Sequence, residues 1–223
     1  MRLLICNSKN WFVLNQSIRN SHTVKEISKK EELSLELLET FCPDFVLFPH
    51  WNWIVKREIH KHFNCVVFHT APLPYGRGGS PIQNLIMRGH KISPVCALKM
   101  SDGVDDGPIY CKQTISLEGQ LSEIFQRLNS AVNVLISRLI YTPLEPVEQV
   151  GEVVTFKRLK TADNEIAPNS NIQEIFDKIR MLDDMSYPSA YINLDNVLIE
   201  FFEIKKESNE IFCKVRITDK GEK

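Results

Sequence analysis

Short apolar runs alternate with amphipathic segments over most of this chain, and the alternation restricts it to one class of fold. Apolar runs of about four to eight residues bounded by turn formers read as strands. Helical patterns between successive strands lead to a largely parallel sheet, because parallel neighbours need a long crossover. The candidate strands are Leu3 to Cys6, Thr23 to Ile27, Phe45 to Phe48, Cys65 to His69, Ser93 to Lys99 and Ile109 to Thr114. Between them, Glu31 to Phe41 predicts a helix whose Leu33, Leu35, Leu37, Leu38 and Phe41 make most of one apolar face. A second helix is expected from about Pro81 to Arg88, opened by a proline that its first turn tolerates and stopped by Gly89. The third, Leu121 to Tyr141, repeats apolar residues at Ile124, Phe125, Leu128, Val132, Leu135, Ile136 and Leu139 and should cover one face of the sheet.

From Thr142 to Asn171 the pattern lapses into Pro, Glu, Gly and Asn, the composition of an extended surface connection. Ile172 to Leu182 again reads as a helix. Ser189 to Ile192, Val197 to Ile204 and Glu210 to Ile217 read as antiparallel strands joined by polar turns. The expected organisation is an α/β domain over residues 1–145, an extended linker over 146–171 and a small C-terminal α+β appendage over 172–223.

Composition narrows the classes of partner. The 223 residues are 43% apolar and carry a formal charge of −1 with both signs interspersed. Such a balance gives no broad cationic face for phosphate backbones, so no nucleic-acid partner is expected. No run approaches the ~20 apolar residues of a membrane span, and the apolar start of "MRLLICNSKN" is too short for a secretory leader. No membrane partner and a cytoplasmic location are expected. The six cysteines include no C-x-x-C pair and read as reduced core residues rather than metal ligands or disulfides. No metal site is expected.

The segment that carries chemistry opens with "VVFHTAPLPYGRGGSP", Val66 to Pro81, in which His69 closes an apolar strand and a loop rich in proline and glycine follows with Arg77. Ligands of open α/β sheets sit at that end of the strands, and glycines let the backbone approach them closely. A histidine in this place also serves as a simple turn cap. The second piece, "SDGVDDGPIY", Ser101 to Tyr110, holds three aspartates and two glycines, and taken alone it equally describes a polar hairpin turn.

Together the two pieces resemble the folate-dependent formyltransferase family. That family's order of a strand-end His, Leu-Pro, Arg-Gly, a helix opening on Pro-Ile and closing on Gly, then Asp-x-Gly-Pro, matches His69, Leu73, Pro74, Arg77, Gly78, Pro81, Ile82, Gly89, Asp105, Gly107 and Pro108. Asp105 follows His69 by 36 residues, as the pattern requires without a gap. The likeness covers roughly Pro43 to Ile166 and takes in "PVEQVGEVVTFKRLKTADNEI", similar to the family's linker. It implies a Rossmann-like formyltransferase domain, 10-formyltetrahydrofolate as cofactor, and attack of an acceptor amine on the formyl carbon. His69 would stabilise the developing oxyanion, while Asp105 would hold the imidazole and help relay the amine proton. The family places a catalytic Asn two residues before the His, where this chain has Val67. Asn52, at the end of the preceding strand, is the candidate replacement, with a turn-forming role as the alternative. The same likeness makes Trp51, Trp53 and Ile54 candidate contacts to the pterin, with Met100, Asp102 and Val104 on the loop that would close over its other side. Trp51 and Trp53 read equally as core anchors.

Within the family, "FHTAPLPYGRGGSPIQNLI" and the "YPSAYI" of Tyr187 to Ile192 are most similar to bacterial nucleotide-sugar N-formyltransferases of the pseudaminic-acid type. The implied acceptor is UDP-4-amino-4,6-dideoxy-N-acetyl-altrosamine. Arg77, Gly78, Gln83, Asn84 and Tyr187 are then candidate substrate-binding residues, and a homodimer is left open. Arg77 reads also as a tie between the glycine-rich loop and the sheet. The appendage from Ile172 onward is smaller than a module expected to engage tRNA. Formyl transfer to methionyl-tRNA or to a carrier-bound aminoacyl group, and a non-catalytic relative that binds folate or a nucleotide sugar, stand as alternatives.

Overall fold

The computed structural model describes residues 1–221. In chain order its elements are β1 (Arg2–Asn7), α1 (Gln16–Ser21), β2 (Thr23–Ile27), α2 (Leu35–Phe41), β3 (Phe45–His50), α3 (Arg57–His62), β4 (Cys65–His69), β5 (Tyr75–Gly78), α4 (Pro81–Met87), β6 (Ile92–Lys99), β7 (Ile109–Ser116), α5 (Leu121–Tyr141), β8 (Val154–Phe156), α6 (Ile172–Arg180), β9 (Ala190–Asn193), β10 (Val197–Glu207) and β11 (Glu210–Asp219). Single 3₁₀ turns lie at Lys30–Glu32 and Thr161–Asn164.

All six candidate strands form, and they make one sheet in the order β2-β1-β3-β4-β6-β7. β1 pairs in parallel with β2 and with β3, β3 pairs in parallel with β4, and β4 pairs antiparallel with β6. The sheet is the mostly parallel one that an α/β chain implies. Its central strands are apolar on both faces because both are covered: Leu3 to Cys6 and Val46 to Phe48 are buried without a break. From β1 the chain adds β2 on one side and β3 with β4 on the other. The crevice beyond the carboxyl ends of β1 and β3 is therefore the topological switch point at which ligands of such sheets sit.

The chain groups into two compact units. The first comprises Met1–Gly78, Ser93–Ile115 and Phe125–Thr155, and the second comprises Gly79–Ile92, Ser116–Ile124 and the chain from Phe156 onward. In the first unit, Leu4, Cys6, Val46, Phe48 and Cys65 meet Leu38 of α2 and Ile59 of α3 in one apolar cluster. Burial pushes the Cys65 thiol up to about 12, and burial with Cys65 beside it raises that of Cys6 as well. Both behave as unreactive core residues. The helix expected from Glu31 to Phe41 is shorter than its apolar pattern. Oγ of Ser34 accepts the Leu37 amide at 3.1 Å, so α2 begins there. Upstream, the Glu32 carboxylate accepts the amides of Ser28 and Lys29 at 2.9 and 2.8 Å and closes a separate turn.

In the second unit, α6 starts on a capping box: the Asn171 side chain accepts from the Gln173 and Glu174 amides, and Glu174 accepts from that of Asn171. β9, β10 and β11 form the expected antiparallel sheet in the order β11-β10-β9. Arg180, only 6% exposed, pairs with Asp177 at 2.6 Å and donates to the carbonyls of Leu117 and Gly119 at 2.7 and 2.8 Å. No described helix is long and apolar enough to cross a membrane.

Candidate active site

His69 ends β4, and strand alternation puts Cys65, Val67 and His69 on one face of the sheet. The imidazole is 7% exposed and engaged at both nitrogens. Nε2 lies 2.7 Å from the carbonyl oxygen of Gly76, which can only accept, so Nε2 carries a hydrogen. Nδ1 faces Oδ2 of Asp105 at 3.3 Å, an ion pair whenever the ring is protonated. The same oxygen accepts the Gly78 amide at 3.0 Å. Gly76 stands at φ 92°, a backbone conformation that a side chain would strain, and it is this turn that brings its carbonyl to the histidine.

Asp105 arrives by an indirect route. β6 runs against β4, with Lys99 opposite Val66 and Cys96 opposite His69, so it leaves the sheet at the wrong end of β4 for contact with His69. The Met100 amide still bonds the Cys65 carbonyl at 2.9 Å. The following residues then return along β4 until Asp105 reaches the histidine. Asp105 adopts a left-handed backbone at φ 52°, which Asp tolerates better than most residues. At Gly107 an added Cβ would collide with the Lys99 carbonyl oxygen, so the loop closes only with glycine there. Ser101 and Asp106 are hydrogen-bonded across the loop.

Two further groups hold this loop. Asp102 lies 3.2 Å from Lys61 Nζ, 3.2 Å from Arg57 Nε and 3.6 Å from His60 Nε2, all on α3. The Lys61 hydrogen bond, helped by the charges of Arg57, Lys61 and His60, holds the Asp102 carboxyl below the usual carboxylate range. Gln149 is the second. Its Oε1 accepts from Nε and Nη2 of Arg77 at 3.1 and 2.9 Å, and its Nε2 donates to the carbonyls of Asp105 and Gly107 at 2.8 and 2.9 Å. Arg77 thus reaches the loop after β6 through an amide, and its fork is filled by Gln149.

The structure brings His69, Asp105, Arg77 and Gly78 together, with Trp51, Val67 and Met100 packed on the apolar cluster beneath. Trp51 packs as a core anchor, edge-on to Phe48 at 6.0 Å and to Trp53 at 4.9 Å between centroids. Ile54 is 93% exposed and Val104 68% exposed, on the two segments that the Asp102 ion pairs hold near each other. Asn52 is exposed, and among the described residues no hydrogen bond joins it to His69 or Asp105. Gln83, Asn84 and Tyr187 belong to the second unit. Gln83 donates to the Met181 carbonyl at 3.4 Å and also bonds Tyr187, whose phenol is pushed up by burial. Asn84 donates to the carbonyls of Gly79, Ser80 and Lys157 at 3.0 to 3.1 Å. Buried amides engaged in this way hold the local fold. Sequence reasoning missed Gln149 and the Gly76 carbonyl, and named Gly78 for substrate rather than for its amide on Asp105. The only signal for Gln149 was its place in the "PVEQVGE" segment that resembled the family linker.

Comparison with known proteins gives this geometry its context. A family described as formyl transferase matches residues 1–139, and the C-terminal domain of methionyl-tRNA formyltransferase matches residues 161–218. A methionyl-tRNA formyltransferase from Campylobacter lari is 30% identical over 221 residues, covering 91% of this chain and 72% of that protein. The chain spans 51% to 64% of the length of the other curated relatives compared. A solved structure, methionyl-tRNA formyltransferase from Clostridium thermocellum, is 36% identical with a TM-score of 0.93, covering 98% of this chain and 99% of that one. HypX from Aquifex aeolicus, solved in complex with tetrahydrofolic acid, shares the fold at 18% identity and a TM-score of 0.75, over 94% of this chain and 40% of that one.

These findings overturn the acceptor expected from sequence. A nucleotide-linked amino sugar, and with it the exclusion of a nucleic-acid partner, gives way because the relatives are methionyl-tRNA formyltransferases and residues 161–218 match that enzyme's C-terminal domain. The match to that C-terminal domain begins at 161, inside the segment expected as linker. Net charge averaged over a whole chain, moreover, says little about one contact surface. The cofactor expectation stands: formyltransferases of this family use 10-formyltetrahydrofolate. With the match extending over residues 1–139, the chain belongs to the formyl transferase family.

Proposed function

We propose that this chain moves the formyl group of 10-formyltetrahydrofolate to the amino group of methionyl-tRNA. The observation that carries the chemistry is the His69 imidazole fixed between the Gly76 carbonyl and the Asp105 carboxylate at the end of β4. The acceptor reading draws its support from the relatives and from the C-terminal match.

Whether the residues suit the cofactor is tested by their surfaces. Exposed Ile54 and Val104, with Trp53 at 37% exposure, are costly apolar surface in water and suit a flat ring system laid between the two segments. Trp51, Trp53 and Ile54 would hold it from one side, and Met100, Asp102 and Val104 from the other. When bound, the cofactor supplies an activated formyl carbonyl. His69 would then supply an N–H to the developing negative charge, the Nε2 hydrogen exchanging the Gly76 carbonyl for the oxyanion while Asp105 holds Nδ1. On Asp105, Oδ2 is engaged by the Gly78 amide and His69. Oδ1 has no hydrogen bond among the described residues and is the oxygen that takes a proton from the incoming amine. Val67 offers no donor, so Asn52 is the side-chain amide we assign to the third place. It makes no side-chain hydrogen bond among the described residues.

The test is to incubate the purified chain with 10-formyltetrahydrofolate and methionyl-tRNA and to assay formylmethionine after deacylation. Formylmethionine that depends on His69 supports the reading. Formate released at the same rate with and without tRNA, with no formylmethionine, would overturn it.

A further inference from the structure

We infer that Gln149 is a positioning residue for Asp105 and that Arg77 acts through it. The inference rests on the role given to Asp105 above. All four hydrogen-bonding positions of the Gln149 amide are filled, two at Oε1 by Arg77 and two at Nε2 by the carbonyls of Asp105 and Gly107. Those partners permit one orientation of the amide. A guanidinium has only donors and a carbonyl only accepts, so a flipped amide would set donor against donor and acceptor against acceptor at all four contacts. Arg77 therefore decides which end of Gln149 faces the loop.

The two carbonyls that Gln149 binds flank the part of the loop that most needs holding. Asp105 carries the left-handed backbone, and Gly107 admits no side chain against Lys99. A left-handed aspartate costs free energy relative to its ordinary conformations and persists only where neighbours fix it. Gln149 is itself anchored, because Val147 exchanges backbone hydrogen bonds with Ile109 at 2.8 and 3.0 Å. The clamp therefore stands on the edge of the sheet. What it fixes is the distance from the Asp105 carboxylate to His69.

The decisive variant is Gln149→Glu, which keeps an acceptor for Arg77 and sets a carboxylate oxygen against the two carbonyls. The expected result, in formylation of methionyl-tRNA by the full chain, is a kcat lower by about tenfold to 10²-fold, the scale on which a misplaced catalytic group acts. KM for donor and for tRNA should stay near wild type, while the Tm falls because two carbonyls lose their donor. Arg77→Lys, which loses the fork but keeps a charge, should show a smaller loss of the same kind. If Gln149→Glu does not fold, Gln149→Met replaces it, with similar length and no polar end. An unchanged kcat per folded enzyme in the variant that folds would overturn the inference. Asp105→Asn separates the two levels of failure. If it abolishes transfer while Gln149 variants are neutral, only the positioning role falls, and if it leaves transfer intact, the role of Asp105 falls and the inference with it.

Discussion

His69 and Asp105 are 36 residues apart in sequence, yet Nδ1 of one stands 3.3 Å from Oδ2 of the other, with the Gly78 amide on the same oxygen. Groups so coupled work as a unit, and their removal should not add. His69→Ala and Asp105→Asn are each expected to lower formyl transfer by on the order of 10²-fold or more, with the double variant little worse than the poorer single one. Multiplicative losses in the double variant would show that the two act separately.

Val67 stands on the His69 face of β4 and packs, half-buried, against the apolar cluster. Val67→Asn places an amide donor two residues before His69, at a stability cost of about 1–3 kcal/mol for a polar group on apolar surface. Turnover should rise severalfold while the Tm falls. A variant that is both less stable and no faster would show that this chain has no use for a donor at that place.

The Asp102 carboxyl is held low by Lys61 first, then by Arg57 and His60. A carboxylate whose value is depressed by folding contributes stability that is fully present above its unfolded value and is lost as pH falls through the folded one. For Asp102 the loss belongs below its ordinary 3.8. Carboxyl carbon resonances followed by NMR should show Asp102 titrating below that value, and Lys61→Met should move it up. Titration at the ordinary value in the unaltered chain would show that α3 does not hold the loop by charge.

Arg180 is buried beside Asp177 and bonded to the carbonyls of Leu117 and Gly119. Arg180→Met leaves the Asp177 charge and two carbonyls without their partner, a loss expected to cost about 3–5 kcal/mol. Urea unfolding followed by tryptophan fluorescence and by far-UV circular dichroism measures it. An unchanged midpoint would show that water replaces the guanidinium without penalty.

What the sequence made legible follows from how local each signal is. Thr23–Ile27, Cys65–His69 and Leu121–Tyr141 have the ends that their patterns predict, because turn residues and a sustained period mark them. α1 and α3 went unread: each has six residues and a single buried apolar side chain, Ile18 or Ile59, too little to display a period. α2 was overextended because the leucine pattern runs through Ser34 without regard to the cap. His69 and Asp105 could be picked out because they stand in dense motifs. Gln149 could not, since its partners lie 72 and 44 residues away and an amide leaves no periodic trace. The acceptor was misread from the likeness of "FHTAPLPYGRGGSPIQNLI" and "YPSAYI" to sugar N-formyltransferases, with size and net charge, which do not describe a surface, counting against tRNA.

The reversed direction of β6 makes the loop behind it a ruler. From the Cys65 level, where the Met100 amide is bonded, to His69 is four residues of β4, roughly 13 Å at about 3.3 Å per residue. Ser101 to Val104 return across it as a bent segment, pinned by the Asp102 ion pairs to α3 and by the hydrogen bond between Ser101 and Asp106. Inserting or deleting one residue there would carry the Asp105 carboxylate by about one residue length, beyond hydrogen-bonding reach of the imidazole. In this fold the length of an exposed, polar loop is under as tight a constraint as any buried side chain, and chains that share the site should vary the loop's letters far more freely than their number.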